Sequence, residues 1–175
     1  MSGEVVTVCL PPEAGADLHA ALAAALAPLD MNGRHEPCQG ERDHWRLGQP
    51  DHAFMVVPGH EARPRLVRDL TPRRGRERRA VPGLCDGGPR ALLDFAAVRA
   101  GAPANAERHW ASLSDEDRRG HVFEFADTWV VATDHLLTVG GTWVSGGFLD
   151  DSVTTHAYLD QLAAGTLVVR VEIHC

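Results

Sequence analysis

The side chains able to do chemistry in this 175-residue chain are ten histidines, four cysteines, 24 acids and 17 positive charges, every one of them arginine. His35, Cys38, His44, His52 and His60 concentrate in one irregular stretch. Neutral imidazole and thiolate are suitable zinc donors, so His35, Cys38, His44 and His52 are the metal candidates. The spacing supplies only half a ligand set, because His35-x-x-Cys38 is not followed by a second close pair. His35-Glu36 and His60-Glu61 begin like H-E-x-x-H, but Gln39 and Pro64 stand where the second histidine must be, so no metalloprotease helix face exists. Surface or hydrogen-bonded histidines are the plainer account, and no metal or cofactor is expected.

General acid–base chemistry needs an imidazole and a carboxylate brought together in space. Three Asp-His neighbours, Asp43-His44, Asp51-His52 and Asp134-His135, do not qualify on sequence grounds, since successive strand residues point to opposite faces. The catalytic candidates are therefore His121, His135 and His174 with Glu124 and Glu172, all in or beside segments that read as strands. Nucleophile motifs fail: Trp143-Val-Ser-Gly-Gly147 lacks the glycine two places before the serine in G-x-S-x-G. Without lysine there is no P-loop and no lysine amine nucleophile. Cys9 and Cys175 are bare thiols, and a core-strand cysteine is ordinarily an inert small hydrophobe.

The remaining feature is electrostatic. Arg63 to Arg79 holds eight arginines against Asp69 and Glu77, a local surplus of six in a chain of net charge −7. Guanidinium groups grip phosphate and carboxylate bidentately, so Arg73, Arg74, Arg76, Arg78 and Arg79 are the anion-binding candidates. The partner would be a polyanion, an acidic protein or an anionic small molecule. Aromatic residues for base stacking are missing from the stretch, so nucleic-acid specificity has no support. The bland account is a solvated loop that offsets the chain's own acidic surface.

The elements that must position these groups read clearly at both ends of the chain. Glu4 to Leu10 is a short β-branched run stopped by Pro11-Pro12, a core strand. Leu18, Leu22 and Leu26 recur every four residues, predicting a helix over 13–27 that closes before Pro28. Ala53 to Val57 is a strand ended by Pro58-Gly59. Pro89 opens a helix carrying Leu92, Leu93, Ala96 and Ala97, and 107–113 is a further helical piece. Residues 121–125 and 128–132 read as one hairpin; 136–139 and 142–145, joined by Gly140-Gly141, read as another with a tight primed turn. Ser152 caps a helix to Ala164. In the last strand, 166–174, Leu167, Val169, Val171 and Ile173 share one face, while Val168, Arg170, Glu172 and His174 share one that is partly wet or paired.

This order predicts one α+β domain over 1–175: a ferredoxin-like antiparallel sheet with helices on one face, an extra β-hairpin, and residues 31–90 as a long Gly/Pro/Arg-rich insertion outside the core. Fifteen of those 60 residues are Gly or Pro. With no apolar run long enough for a bilayer and no leader-like start, the protein is expected to be soluble, cytoplasmic and free of membrane contact, with reduced thiols.

Asp43-His-Trp-Arg-Leu-Gly48 and the closing Leu167-Val-Val-Arg-Val-Glu-Ile-His-Cys175 resemble a group of small uncharacterised actinobacterial and phage-encoded proteins. Those carry a W-D-x-W-x-x-G-G-x-W segment and a V-V-D-C-H-type terminal strand. Here Arg42 replaces the first tryptophan, Gln49 the second glycine, and Glu172-Ile173-His174 the terminal Asp-Cys-His. The resemblance implies the same order of elements and transfers no activity.

The expected function is a noncatalytic accessory or binding protein whose Arg-rich loop recognises an anionic partner. The alternatives are a small enzyme with a His/acid pocket on an open sheet face, and a His/Cys zinc protein. No complete catalytic motif decides whether the chain is an enzyme.

Overall fold

The computed structural model describes residues 4–29, 44–48, 53–72, 78–95, 133–145 and 157–174. They form a mixed α/β arrangement with a mostly antiparallel sheet and few helices. At its centre lie the first and last strands, β1 (Glu4–Leu10) and β8 (Leu167–His174), antiparallel and paired from Glu4 opposite Ile173 to Leu10 opposite Leu167. Both are almost continuously buried, the pattern of a strand covered on two sides.

Around this pair the sheet grows in both directions. β6 (His135–Leu137) runs parallel to β1 and antiparallel to β7 (Trp143–Ser145), which confirms the expected hairpin. Its loop differs from the primed turn: Gly141 N–H donates to the Thr138 carbonyl at 2.9 Å and only Gly141 has positive φ, at 80°. A three-residue connection with one left-handed glycine at its end therefore closes the hairpin. On the far edge of β8, β2 (His44–Leu47) and β5 (Gly87–Pro89) pair end to end, β2 with Val171–His174 and β5 with Leu167–Val169. β3 (Phe54–Met55) and β4 (Leu84–Cys85) make a separate two-stranded ribbon.

One face of the sheet is covered by α1 (Leu18–Leu26). The helix is alanine-rich and is capped by Asp17, whose side chain accepts from the Ala20 N–H at 3.0 Å. Asp17 itself is non-helical, so Pro12–Ala16 forms a separate 3-10 turn and the single helix expected over 13–27 starts later. Leu22 and Leu26 pack on Val6, Val8, Val169 and Val171.

The opposite face was expected to be open, and it is not. Phe54, Val56, Leu66, Cys85, Leu93 and Phe95 form a second core with Cys9, Leu136 and Val168. Leu159, from the helical residues 157–161 (α2), joins them. The expectation that helices share one face is thus corrected: α1 and α2 pack on opposite sides. Within 31–90, Phe54 and Val56 alternate inside the expected strand at 53–57, whereas Leu66 and Cys85 stand apart among Gly and Pro with no period that would have announced their burial. Each fully buried Leu, Val or Phe contributes roughly 1.5–3 kcal/mol, which favours this cover over a solvated loop. Arg90 ties it to α2, donating from Nε to the Leu159 carbonyl at 2.8 Å and lying 4.4 Å over the Phe95 ring. Pro89, expected to open a helix, instead ends β5 before a 3-10 turn at Arg90–Leu92.

The helix at 107–113, the hairpin at 121–132 and the start of the helix at 152 lie outside the described residues. Among those described, no helix is long and apolar enough to cross a membrane.

Candidate functional site

β2 and β5 meet on β8 at Arg170, and that junction organises the site. The Arg170 N–H donates to the Asp86 carbonyl at 2.7 Å, and the Arg170 carbonyl accepts from the Gly48 N–H at 2.8 Å. Gly48 has φ +71° and sits so close to Asp86 that a β-carbon there would fall 2.5 Å from Oδ1. Only glycine satisfies both conditions.

Arg170 points into the second core, where it is 2% exposed. Its Nη1 donates to Thr7 Oγ1 at 2.9 Å, and its guanidinium lies 4.3 Å over the Phe54 ring. Burial pushes the guanidinium down to about 9, while the negative charges of Asp134 and Asp86 act in the opposite direction. A buried charge persists when it is hydrogen-bonded and faces an opposite charge.

Asp86 extends this arrangement outward. It is 5% exposed, and its Oδ2 accepts from the Asp69 N–H at 2.7 Å. Arg78 straddles the two acids, with Nη1 at 3.1 Å from Asp69 Oδ2 and Nη2 at 3.8 Å from Asp86 Oδ1. Arg68 is held by two backbone carbonyls, donating from Nε to Leu84 at 3.3 Å and from Nη2 to Glu61 at 2.7 Å. Arg79 is exposed. These five side chains line a cavity of about 230 Å³ whose apolar wall is Leu70, Val81 and Leu84.

The cavity can hold an anion, but its groups are poorly suited to acid–base or nucleophilic chemistry. Among the described residues, no histidine lines it. Cys85 does, yet burial raises its thiol to about 11, so it is protonated at neutral pH. Both carboxylates are engaged by Arg78 and by backbone N–H groups.

The two described catalytic histidine candidates, His135 and His174, do not converge. His135 Nε2 contacts Glu4 Oε2 at 2.9 Å, and its ring stacks on Trp143 at 4.7 Å, on the face covered by α1. His174 lies on the opposite face, two strands away. There its Nε2 accepts from Arg46 Nη2 at 2.6 Å and stands 3.5 Å from Glu172 Oε1. Glu172 and His174 are thus brought together, and His135 is excluded. His121 and Glu124 lie outside the described residues, as do Arg73, Arg74 and Arg76 and the metal candidates His35, Cys38 and His52. His44 stands opposite His174 in the strand register. Among the described residues no three His, Cys, Asp or Glu side chains are grouped to hold a metal ion.

Sequence reasoning missed Asp69, Asp86 and Arg170 as site residues. A signal existed for two of them. Gly87-Gly88 after Asp86 marks a close backbone approach, and a lone arginine inside Leu-Val-Val-Arg-Val interrupts a run that otherwise reads as buried.

No protein family matches the chain, and no curated protein or solved structure is significantly similar to it.

Proposed function

We propose that the protein is a noncatalytic binding protein that recognises an anionic partner through the arginines of residues 63–79. The observation that carries this reading is the cavity where Arg68, Arg78 and Arg79 converge over an apolar wall. Arg78 is committed to Asp69 and Asp86, so it shapes the site, while Arg68 and Arg79 supply the charge an incoming anion meets.

The ferredoxin-like reading enters here as a likeness of strand direction. β1 and β6 are parallel neighbours flanked by antiparallel β8 and β7, the direction pattern of that fold, although the sheet is covered on both faces. The enzyme reading retains one supporting contact, Glu172 with His174. The separation of His135 from His174 weighs against a shared pocket for the pair.

The test is a titration of the full chain with butanoate at about 50 and 200 mM salt, following backbone amides by NMR. Shifts centred on residues 68–70 and 78–86, weakened by salt as screening requires, are expected. They should disappear when Arg73, Arg74, Arg76 and Arg79 are replaced by Ala. Salt-sensitive binding that survives this replacement removes the Arg-rich segment from the recognition element.

A further inference from the structure

We infer that the cavity beside Arg79 takes a small aliphatic monocarboxylate, its head on Arg79 and Arg68 and its hydrocarbon body against Leu70, Val81 and Leu84. This rests on the anion-binding reading above and narrows the ligand by charge, size and wall chemistry.

Charge comes first. Among the described lining residues, Arg68, Arg78 and Arg79 oppose Asp69 and Asp86, which leaves a surplus of one positive charge. A monoanion neutralises that surplus. A dianion would exceed it and place its second charge near two carboxylates, and like charges meeting at a binding site select against the wrong partner. Arg68 is pre-oriented by its two carbonyl acceptors, so less ordering is required when a ligand arrives.

Size and wall chemistry agree. A volume of about 230 Å³ corresponds to about eight water molecules at roughly 30 Å³ each, room for a short chain and too little for a nucleotide. Among the described residues no aromatic ring lines the cavity, so they offer no stacking platform for a base. Leu70 and Val81 are large apolar side chains left 48% and 54% exposed at its edge. Met55, 42% exposed, stands opposite Leu84 in the β3–β4 pair and continues the same apolar surface. A contiguous apolar patch beside fixed positive charge suits an amphiphile better than a bare ion.

The experiment compares octanoate, butanoate, octyl phosphate and inorganic phosphate on the full chain by calorimetry, with Arg79→Ala and Val81→Asn as variants; both positions are exposed and the variants are expected to fold. Each buried methylene is worth roughly fourfold in affinity. Octanoate is therefore expected to bind at least about tenfold more tightly than butanoate, and more tightly than octyl phosphate at a pH where the phosphate is doubly charged. Arg79→Ala should weaken both carboxylates, and Val81→Asn should shrink the octanoate preference. Equal binding of butanoate and octanoate, still dependent on Arg79, overturns the monocarboxylate inference and leaves anion binding standing. Tighter binding of either phosphate likewise overturns it. Binding of no anion, or binding indifferent to Arg79, overturns both.

Discussion

Gly87 is where a single added methyl group meets the least compliant part of the molecule. It pairs with Val169 in the β5–β8 ladder. A β-carbon there would lie 2.6 Å from the Val168 carbonyl oxygen and 2.8 Å from Val169 Cα. Both are backbone atoms of a strand buried on both faces and paired along both edges, so neither can swing aside as a side-chain tip would. In Gly87→Ala, β5 must withdraw from β8. Overpacking of this kind costs about 1–3 kcal/mol, and loss of one or two ladder hydrogen bonds adds about 0.5–1.5 kcal/mol each, giving roughly 1.5–6 kcal/mol. With a urea dependence of about 2 kcal/mol per molar, the unfolding midpoint should fall by roughly 0.75–3 M. The assay is urea unfolding followed by far-UV circular dichroism. Gly15→Ala is the control, because there the new carbon would meet Leu167 Cδ1 at an ordinary 3.6 Å. A Gly87→Ala midpoint no lower than that of the control would refute the argument that β5 is clamped against β8. The same withdrawal would displace Asp86, so the variant should also lose the butanoate-induced shifts.

Arg170→Met removes the buried charge while keeping most of the volume. It leaves Thr7 Oγ1 without its 2.9 Å donor and Asp86 with Arg78 as its remaining facing charge, which should destabilise by about 3–5 kcal/mol. Adding Asp86→Asn should recover part of that loss in a double-mutant cycle, and strict additivity would show that the two charges are not coupled. Cys9 and Cys85 are 2% and 3% exposed, and burial holds their thiols up at about 12 and about 11. In a Cys38→Ser, Cys175→Ser background, an aromatic disulfide reagent should react with neither at neutral pH until urea unfolds the chain; fast native reaction would contradict their burial. The sign for pH follows from the raised Cys9 value. Its contribution is whole below the unfolded value of 9.0 and is lost as pH climbs from there toward about 12, on the order of 4 kcal/mol in all. The stability gap between wild type and Cys9→Ala should therefore shift against wild type over that range, a comparison in which the opposite contribution of Arg170 cancels. A gap independent of pH would refute it.

The elements legible in the sequence were those whose signal fits in a short window. β1, β8 and the β6–β7 hairpin announced themselves through β-branched runs and turn residues, and α1 through leucines four apart. Arg78 and Arg79 were visible as members of a charge cluster. Their acidic partners were not, because Asp69 and Asp86 are unremarkable in sequence and gain meaning only when Arg78 reaches both. The face of β8 bearing Arg170 read as partly wet or paired, and pairing is what occurs, with Thr7, 163 residues away, supplying the acceptor.

Local pattern determined β1, β3, the β6–β7 hairpin, β8 and α1, because backbone preference and side-chain period act over a few residues, while the short strands β2, β4 and β5 were not read from sequence. Tertiary structure alone decided that Phe54, Val56, Leu66, Leu93 and Phe95 cover the second face and that two acids and three arginines close one cavity. Phe54 with Val56 and Leu93 with Phe95 alternate locally, but no local period links these pairs to each other or to Leu66, and they meet because burying scattered apolar side chains against an exposed sheet face is worth more than leaving that face in water.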